Sequence, residues 1–172
     1  MANLANLRIG PCTLTWKTQD LGNTLGGIKI TYDRKYTDLK VDKYGDTPVD
    51  KALTGTDIKI TTKVAEPVVS MIQRVLTESQ SNSGTLGSNV GLAAGEGALL
   101  RQNAGLLVMH PISKGTDTSE DINIYLAVPT MALNINYEVN NQKVYDLEFD
   151  ALVSEAYVTG QRLGHIGSTT IS

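Results

Sequence analysis

The last third of the chain alternates apolar and polar residues over three successive stretches, and this pattern limits the fold more than any other feature. Ile122, Ile124, Leu126 and Val128 alternate up to Pro129. Met131, Leu133, Ile135, Tyr137 and Val139 then alternate with Ala132, Asn134, Asn136 and Glu138. After a turn at Asn140-Asn141-Gln142, Tyr145, Leu147, Phe149, Ala151 and Val153 oppose Val144, Asp146, Glu148 and Asp150. Side chains along a strand point alternately to opposite faces, so each stretch has one apolar and one wet face. Strands of about nine or ten residues exceed the usual ~5–6. Long one-sided strands call for an antiparallel sheet with a solvated side.

The rest of the chain fits the same class. Residues 12–17 (CTLTWK) place Cys12, Leu14 and Trp16 on one face. A turn over residues 23–27 leads into a strand with Ile28, Ile30 and Tyr32 opposing Lys29, Thr31 and Asp33. Residues 38–42 (DLKVD) alternate again, the chain turns at Tyr44-Gly45-Asp46, and Ile58 and Ile60 alternate with Lys59 and Thr61. Gly45 and Pro48 interrupt ladder pairing, so about residues 33–54 read as an edge or projecting hairpin. From Glu66 the period changes: after Pro67, Val68, Met71, Ile72, Val75 and Leu76 recur at spacings of three and four. That spacing predicts an amphipathic helix over about 66–78, a lid over the sheet. The run SQSNSGTLGSNVGLAAGEG, about 79–98, lacks periodicity and reads as an irregular loop. Residues 105–111 (GLLVMHP) form a compact strand, and the Gly-rich tail from Thr159 looks loose. The expected fold is mainly β: an antiparallel β-sandwich or open barrel with one flanking α-helix and a long projecting hairpin, in one domain over residues 1–172.

Little in the sequence suggests chemistry. With 172 residues, 41% hydrophobic and 19% charged, the chain can bury a core. Its formal net charge of −3 and lack of a Lys/Arg cluster argue against a permanent nucleic-acid grip. Seven tyrosines against one Phe and one Trp hint at half-buried or interface positions. Cys12 is the sole cysteine, so no intrachain disulfide forms, and it reads as a small buried hydrophobe. The N-terminal MANLANLRIGPC lacks the pattern of a signal peptide, and no apolar run approaches the ~20 residues of a membrane span. His110, inside an apolar strand, reads as structural, and His165 falls in the tail. No Cys-x2-Cys or His-Glu-x-x-His spacing suggests a metal. The stretch GLAAGEG lacks the Gly-Lys-Ser/Thr ending of a phosphate loop. Asp146, Glu148 and Asp150 form an acidic row that could in principle run acid–base chemistry, but a solvated sheet face explains them better. No catalytic residue, metal ligand or cofactor is expected.

The run LGNTLGGIKITYDRKYTDLKVDKYGDTPVDKALTG, followed by DIKITTKVAEP and a helix, resembles the amino-terminal part of tail tube (major tail) proteins of tailed bacteriophages. The shared features are Leu21-Gly22, Thr24, Gly26-Gly27 and the strand after them. Next come the Val41-Asp42-Lys43-Tyr44-Gly45 turn, residues 47–51 (TPVDK), and Gly55 before Ala65-Glu66-Pro67. The match covers about residues 20–70; beyond it only the order of elements agrees.

The resemblance implies a two-sheet sandwich flanked by a helix, six subunits closing into a ring, and rings stacked as a tube. One sheet of each subunit would line a channel through which double-stranded DNA passes without specific contacts. Sheath, baseplate and tail-terminator proteins are the further partners so implied. The protein would be made in the host bacterial cytoplasm and reside in the virion tail, with no membrane insertion. On this reading Asp146, Glu148 and Asp150 face the lumen. The arm residues Arg34, Lys35, Lys40, Asp42, Lys43, Tyr44, Gly45, Asp46, Asp50 and Lys51 make inter-subunit contacts. The alternatives are a carbohydrate- or receptor-binding β-sandwich module, or another tail or injection-system component such as a tail completion protein.

Overall fold

The computed structural model describes residues 10–65, 69–76, 81–84, 87–90, 97, 99–130, 144–157 and 160–168. The strand expected at 131–139, with Asn134, Asn136 and Glu138, and the turn at 140–142 lie outside them, as does most of GLAAGEG. The described chain is mainly β. In order it forms β1 (Cys12–Trp16), β2 (Gln19–Asp20), β3 (Thr24–Lys40), β4 (Pro48–Val64) and α1 (Val69–Val75). Then follow β5 (Ser81–Gly84), β6 (Gly87–Val90), β7 (Gly105–Pro111), β8 (Ile122–Pro129), β9 (Tyr145–Ala151) and β10 (Gly164–Ile166). Eight strands make one antiparallel sheet in the order β2-β1-β7-β8-β9-β4-β3, with β10 also paired to β8. Among the described residues its two end strands do not pair, so the sheet is open rather than a closed barrel.

The sheet curls so that its two halves share one core. Leu14 and Trp16 of β1, Leu107 and Met109 of β7, Ile60 and Val64 of β4, and Leu147 and Phe149 of β9 are all almost fully buried. Trp16 and Phe149 meet across this core with ring centroids 5.7 Å apart and planes tilted by 56°. The indole N–H of Trp16 donates to the carbonyl of Ala127 at 3.2 Å. Met71 and Val75, one turn apart on α1, join the same cluster, as a helix lid requires. Cys12 is half-buried against it, and burial raises its thiol pKa.

Four expectations change. Ile122, Ile124, Leu126 and Val128 do not share a face. Between Leu107↔Ile124 and Gly105↔Ala127 the β7–β8 register shifts by one residue, which reverses the side-chain phase. Ala127 takes the core position, while Val128, opposite Asp150, is buried elsewhere. Of the residues read as a turn at 23–27, Thr24–Gly27 instead open β3, where Gly26 and Gly27 at positive φ form a bulge. The loop over 79–98 contains a small antiparallel hairpin, β5–β6, beside α1. Apart from Val90 its strands are polar or Gly, so no alternation announced them. The tail is not loose between Gly164 and Ile166: there it pairs with β8.

A candidate assembly surface on the arm and the wet face of the sheet

β3 and β4 pair over their whole lengths, but β9 borders β4 only from Lys59 to Val64. Beyond that point the two strands leave the sheet as a two-stranded arm. Its side chains from Asp33 to Lys51 are all exposed. Pro48 does not break the ladder; it is the first residue of β4, opposite Lys40, where a missing N–H is tolerated. The alternation of residues 38–42 ends at Lys40, and one 3-10 turn, Asp42–Tyr44, caps the arm. Gly45 follows at φ 59° and ψ −132°, a combination that side chains rarely adopt. The Gly45 N–H reaches the Asp42 carbonyl and the Thr47 N–H the Tyr44 carbonyl, at 3.2 and 3.3 Å.

The register decides what the arm shows. Residues opposite one another in an antiparallel pair share a face. Tyr32, Arg34 and Tyr36 therefore lie with Ile58, Thr56 and Leu53, while Asp33 and Lys35 lie with Asp57 and Gly55. Bulges beside Tyr36 and Lys40 bend the strands, a device that discourages indiscriminate edge pairing. Many arm charges are satisfied within the hairpin. Lys35 pairs with Asp57, Lys40 with Asp46 at 3.1 Å and Lys51 with Asp38 at 3.4 Å. The Asp57 carboxylate raises the pKa of Lys35 through a hydrogen bond. Lys43 lies 5.6 Å over the Tyr44 ring and Arg34 5.2 Å over Tyr32. Asp50 accepts from the backbone N–H of Lys51. Among the arm's apolar and aromatic side chains, Tyr36, Leu39, Val41, Tyr44, Val49 and Leu53 are each about half exposed, between 45% and 56%.

β9 presents Asp146, Glu148 and Asp150 on the face opposite its buried Tyr145, Leu147 and Phe149, as the alternation predicts. The sequence reading missed their partners. β4 lies against β9 with Lys63↔Asp146, Thr61↔Glu148 and Lys59↔Asp150. Lys59 bonds Glu148, which raises the lysine pKa, and Lys63 lies 3.7 Å from Asp146. Over Lys29–Lys35 of β3, Gly55–Lys63 of β4 and the length of β9, this face holds four lysines (29, 35, 59, 63) and five carboxylates (33, 57, 146, 148, 150). It is a charge mosaic with one net negative charge, not an acidic wall. The matching two-residue spacing of Lys59-x-Thr61-x-Lys63 and Asp146-x-Glu148-x-Asp150 carried the signal.

The histidines are tied into structure. His165 Nδ1 lies 2.8 Å from the Tyr125 hydroxyl, and the Asn123 amide donates to its Nε2 at 3.2 Å. Tyr125 stacks on Tyr157 at 3.5 Å, and burial raises its pKa. His110 meets Asp121 through Nδ1 and the Gly115 carbonyl through Nε2. A His–Asp pair serving a nucleophile would leave Nε2 free for a hydroxyl; here a carbonyl occupies it. Among the described residues no group of three or more His, Cys, Asp or Glu is placed to hold a metal ion. Nor is any described helix long and apolar enough to cross a membrane. No protein-family profile and no curated protein sequence matches this chain.

Proposed function

We propose that the protein is a self-assembling structural subunit, forming hexameric rings that stack into the tail tube of a bacteriophage and leave a channel for DNA ejection. The observation that carries this reading is the arm. Beside three in-hairpin ion pairs it carries a half-exposed set of aromatic and aliphatic side chains that a neighbouring subunit would cover. Aromatic and aliphatic anchors ringed by charge are what interfaces use for affinity and register. The resemblance over about residues 20–70 contains this arm. Among the described residues β3 ends the sheet, an edge that joining sheets between subunits would close.

The wet face of β9 suits a channel lining for a reason that differs from simple repulsion. A nearly neutral mosaic of paired, hydrated charges offers phosphates neither a basic patch to hold nor a deep negative barrier. The protein would be synthesised in the host cytoplasm and reside in the virion. Sheath, baseplate and terminator proteins would be its further neighbours. A sugar-binding role has less support. The groove beside the arm base, about 430 Å³, is lined mainly by isoleucines (30, 58, 122, 124, 166), with Tyr32 as its aromatic side chain besides His165.

Negative-stain microscopy of the purified full chain tests the proposal. Rings or rods with a central hole support it; persistent monomers at high concentration, with glycan affinity, support the binding-module alternative instead.

A further inference from the structure

His110 ends the apolar run of β7, and the turn after it folds back over its ring. Nδ1 lies 2.6 Å from Asp121 Oδ1, and Nε2 lies 2.8 Å from the Gly115 carbonyl oxygen. A backbone carbonyl and a carboxylate can only accept, whereas a neutral imidazole carries one N–H. The imidazolium, with two, satisfies both contacts. Asp121 is 6% exposed, so a lost partner there is costly.

The groups around the ring fit the charged form. From the turn, Asp117 faces it, its own pKa lowered to about 2 chiefly by the Ser119 N–H. Lys114 is engaged by Asp117 at 3.2 Å and Glu120 at 2.7 Å. From β1, the Thr13 hydroxyl bonds the His110 carbonyl at 3.4 Å, and the raised Cys12 thiol lies opposite Pro111. From β8, the Asn123 amide is directed away, to His165 and the Gly167 carbonyl. The same turn anchors chain on both sides. Ile112 donates to the Pro11 carbonyl at 3.1 Å, and Gly167 donates to the Asp121 carbonyl at 2.7 Å.

We infer that His110, Asp121 and the Gly115 carbonyl form a proton-gated clamp. While the imidazolium is present, residues 112–121 stay closed and hold the segments at Pro11 and Gly167. Loss of its proton turns one N–H contact into a lone pair facing an oxygen, and the clamp loosens. The Asp121 hydrogen bond first, then that to Gly115, raises the His110 pKa above its ordinary value. A raised folded pKa gives a contribution that is whole below the ordinary ~6.5 and lost as pH rises through the folded value. The clamp therefore opens toward alkaline pH. It does not depend on the tube reading.

A titration of the full chain, ¹⁵N-labelled at histidine and at glycine, decides the matter in solution or in assembled form. The expected result is an imidazolium with both nitrogens protonated at pH 6 and a midpoint above ~6.5. The Gly115 and Gly167 amides should shift with that same midpoint, and their exchange protection should fall above it. Asp121→Asn should move the midpoint down. A midpoint at or below ~6.5, or Gly115 and Gly167 amides that ignore the titration, overturns the clamp. The wild-type titration alone suffices if the variant does not fold.

Discussion

Replacing residues 36–54 by Asn-Gly should remove assembly while leaving the fold intact. Lys35 and Gly55 are directly paired, so a two-residue type I′ turn can join them without altering the register below. The segment removed contains no residue of the core cluster. Its apolar side chains stay about half exposed, against 0–2% for Trp16, Phe149 and Leu14. The ion pairs lost, Lys40–Asp46 and Lys51–Asp38, are solvent-exposed and of the kind that adds little to stability. Shortening the connection from 19 residues to two gains at most about 2 kcal/mol of closure entropy, from (3/2)RT ln n. The net change should stay within about 2 kcal/mol either way, which for a chain of this size is less than about 8 °C in Tm. Chemical and thermal denaturation followed by far-UV circular dichroism measures the stability, and sedimentation velocity measures the assembly. A cooperative transition near the wild-type midpoint with a purely monomeric boundary is expected. A collapse of the transition would show that the arm belongs to the fold. Wild-type assembly by the variant would refute the role assigned to the arm.

Other perturbations separate core, packing and surface effects. Phe149→Ala, at 0% exposure against Trp16, should cost about 3–5 kcal/mol in denaturant unfolding. Gly164→Ala should cost about 1–3 kcal/mol, because its Cβ would lie 2.2 Å from the Asn123 carbonyl oxygen, which cannot yield without separating β10 from β8; loss of slow amide exchange in β10 reports it. Reversing Asp146, Glu148 and Asp150 to Lys sets like charges opposite Lys63 and Lys59 and should lower the thermal midpoint. Adding Lys59→Glu and Lys63→Glu should raise it again; a triple variant as stable as wild type would disprove the cross-strand pairing.

The strands of the core were legible where one face is apolar and the ladder is regular. Leu14 and Trp16, Ile58 and Ile60, and Leu147 and Phe149 all point as their alternation says. β8 was legible as a strand but not in its facing, because the phase is reset by a bulge whose partner residues lie about 20 positions upstream in β7. β5 and β6 were invisible, since hydrophobic periodicity cannot mark strands without an apolar face. At the candidate surface the arm, its tip at Tyr44-Gly45-Asp46 and the acidic row were readable from local pattern. The cancelling charges were not: Lys59 meets Glu148 across 89 positions, and only the register brings them together. The same applies to His110, whose carboxylate partner sits beyond a ten-residue turn.

The central claim, a tube built through the arm, is tested most directly by a cryo-EM helical reconstruction of whatever the purified chain assembles into. The account predicts stacked six-fold rings, with Tyr44 and Val41 buried against a subunit of the adjacent ring and Asp146, Glu148 and Asp150 facing the channel. Rings whose arm tips stand free in solvent, or with that row on the outer wall, would contradict it.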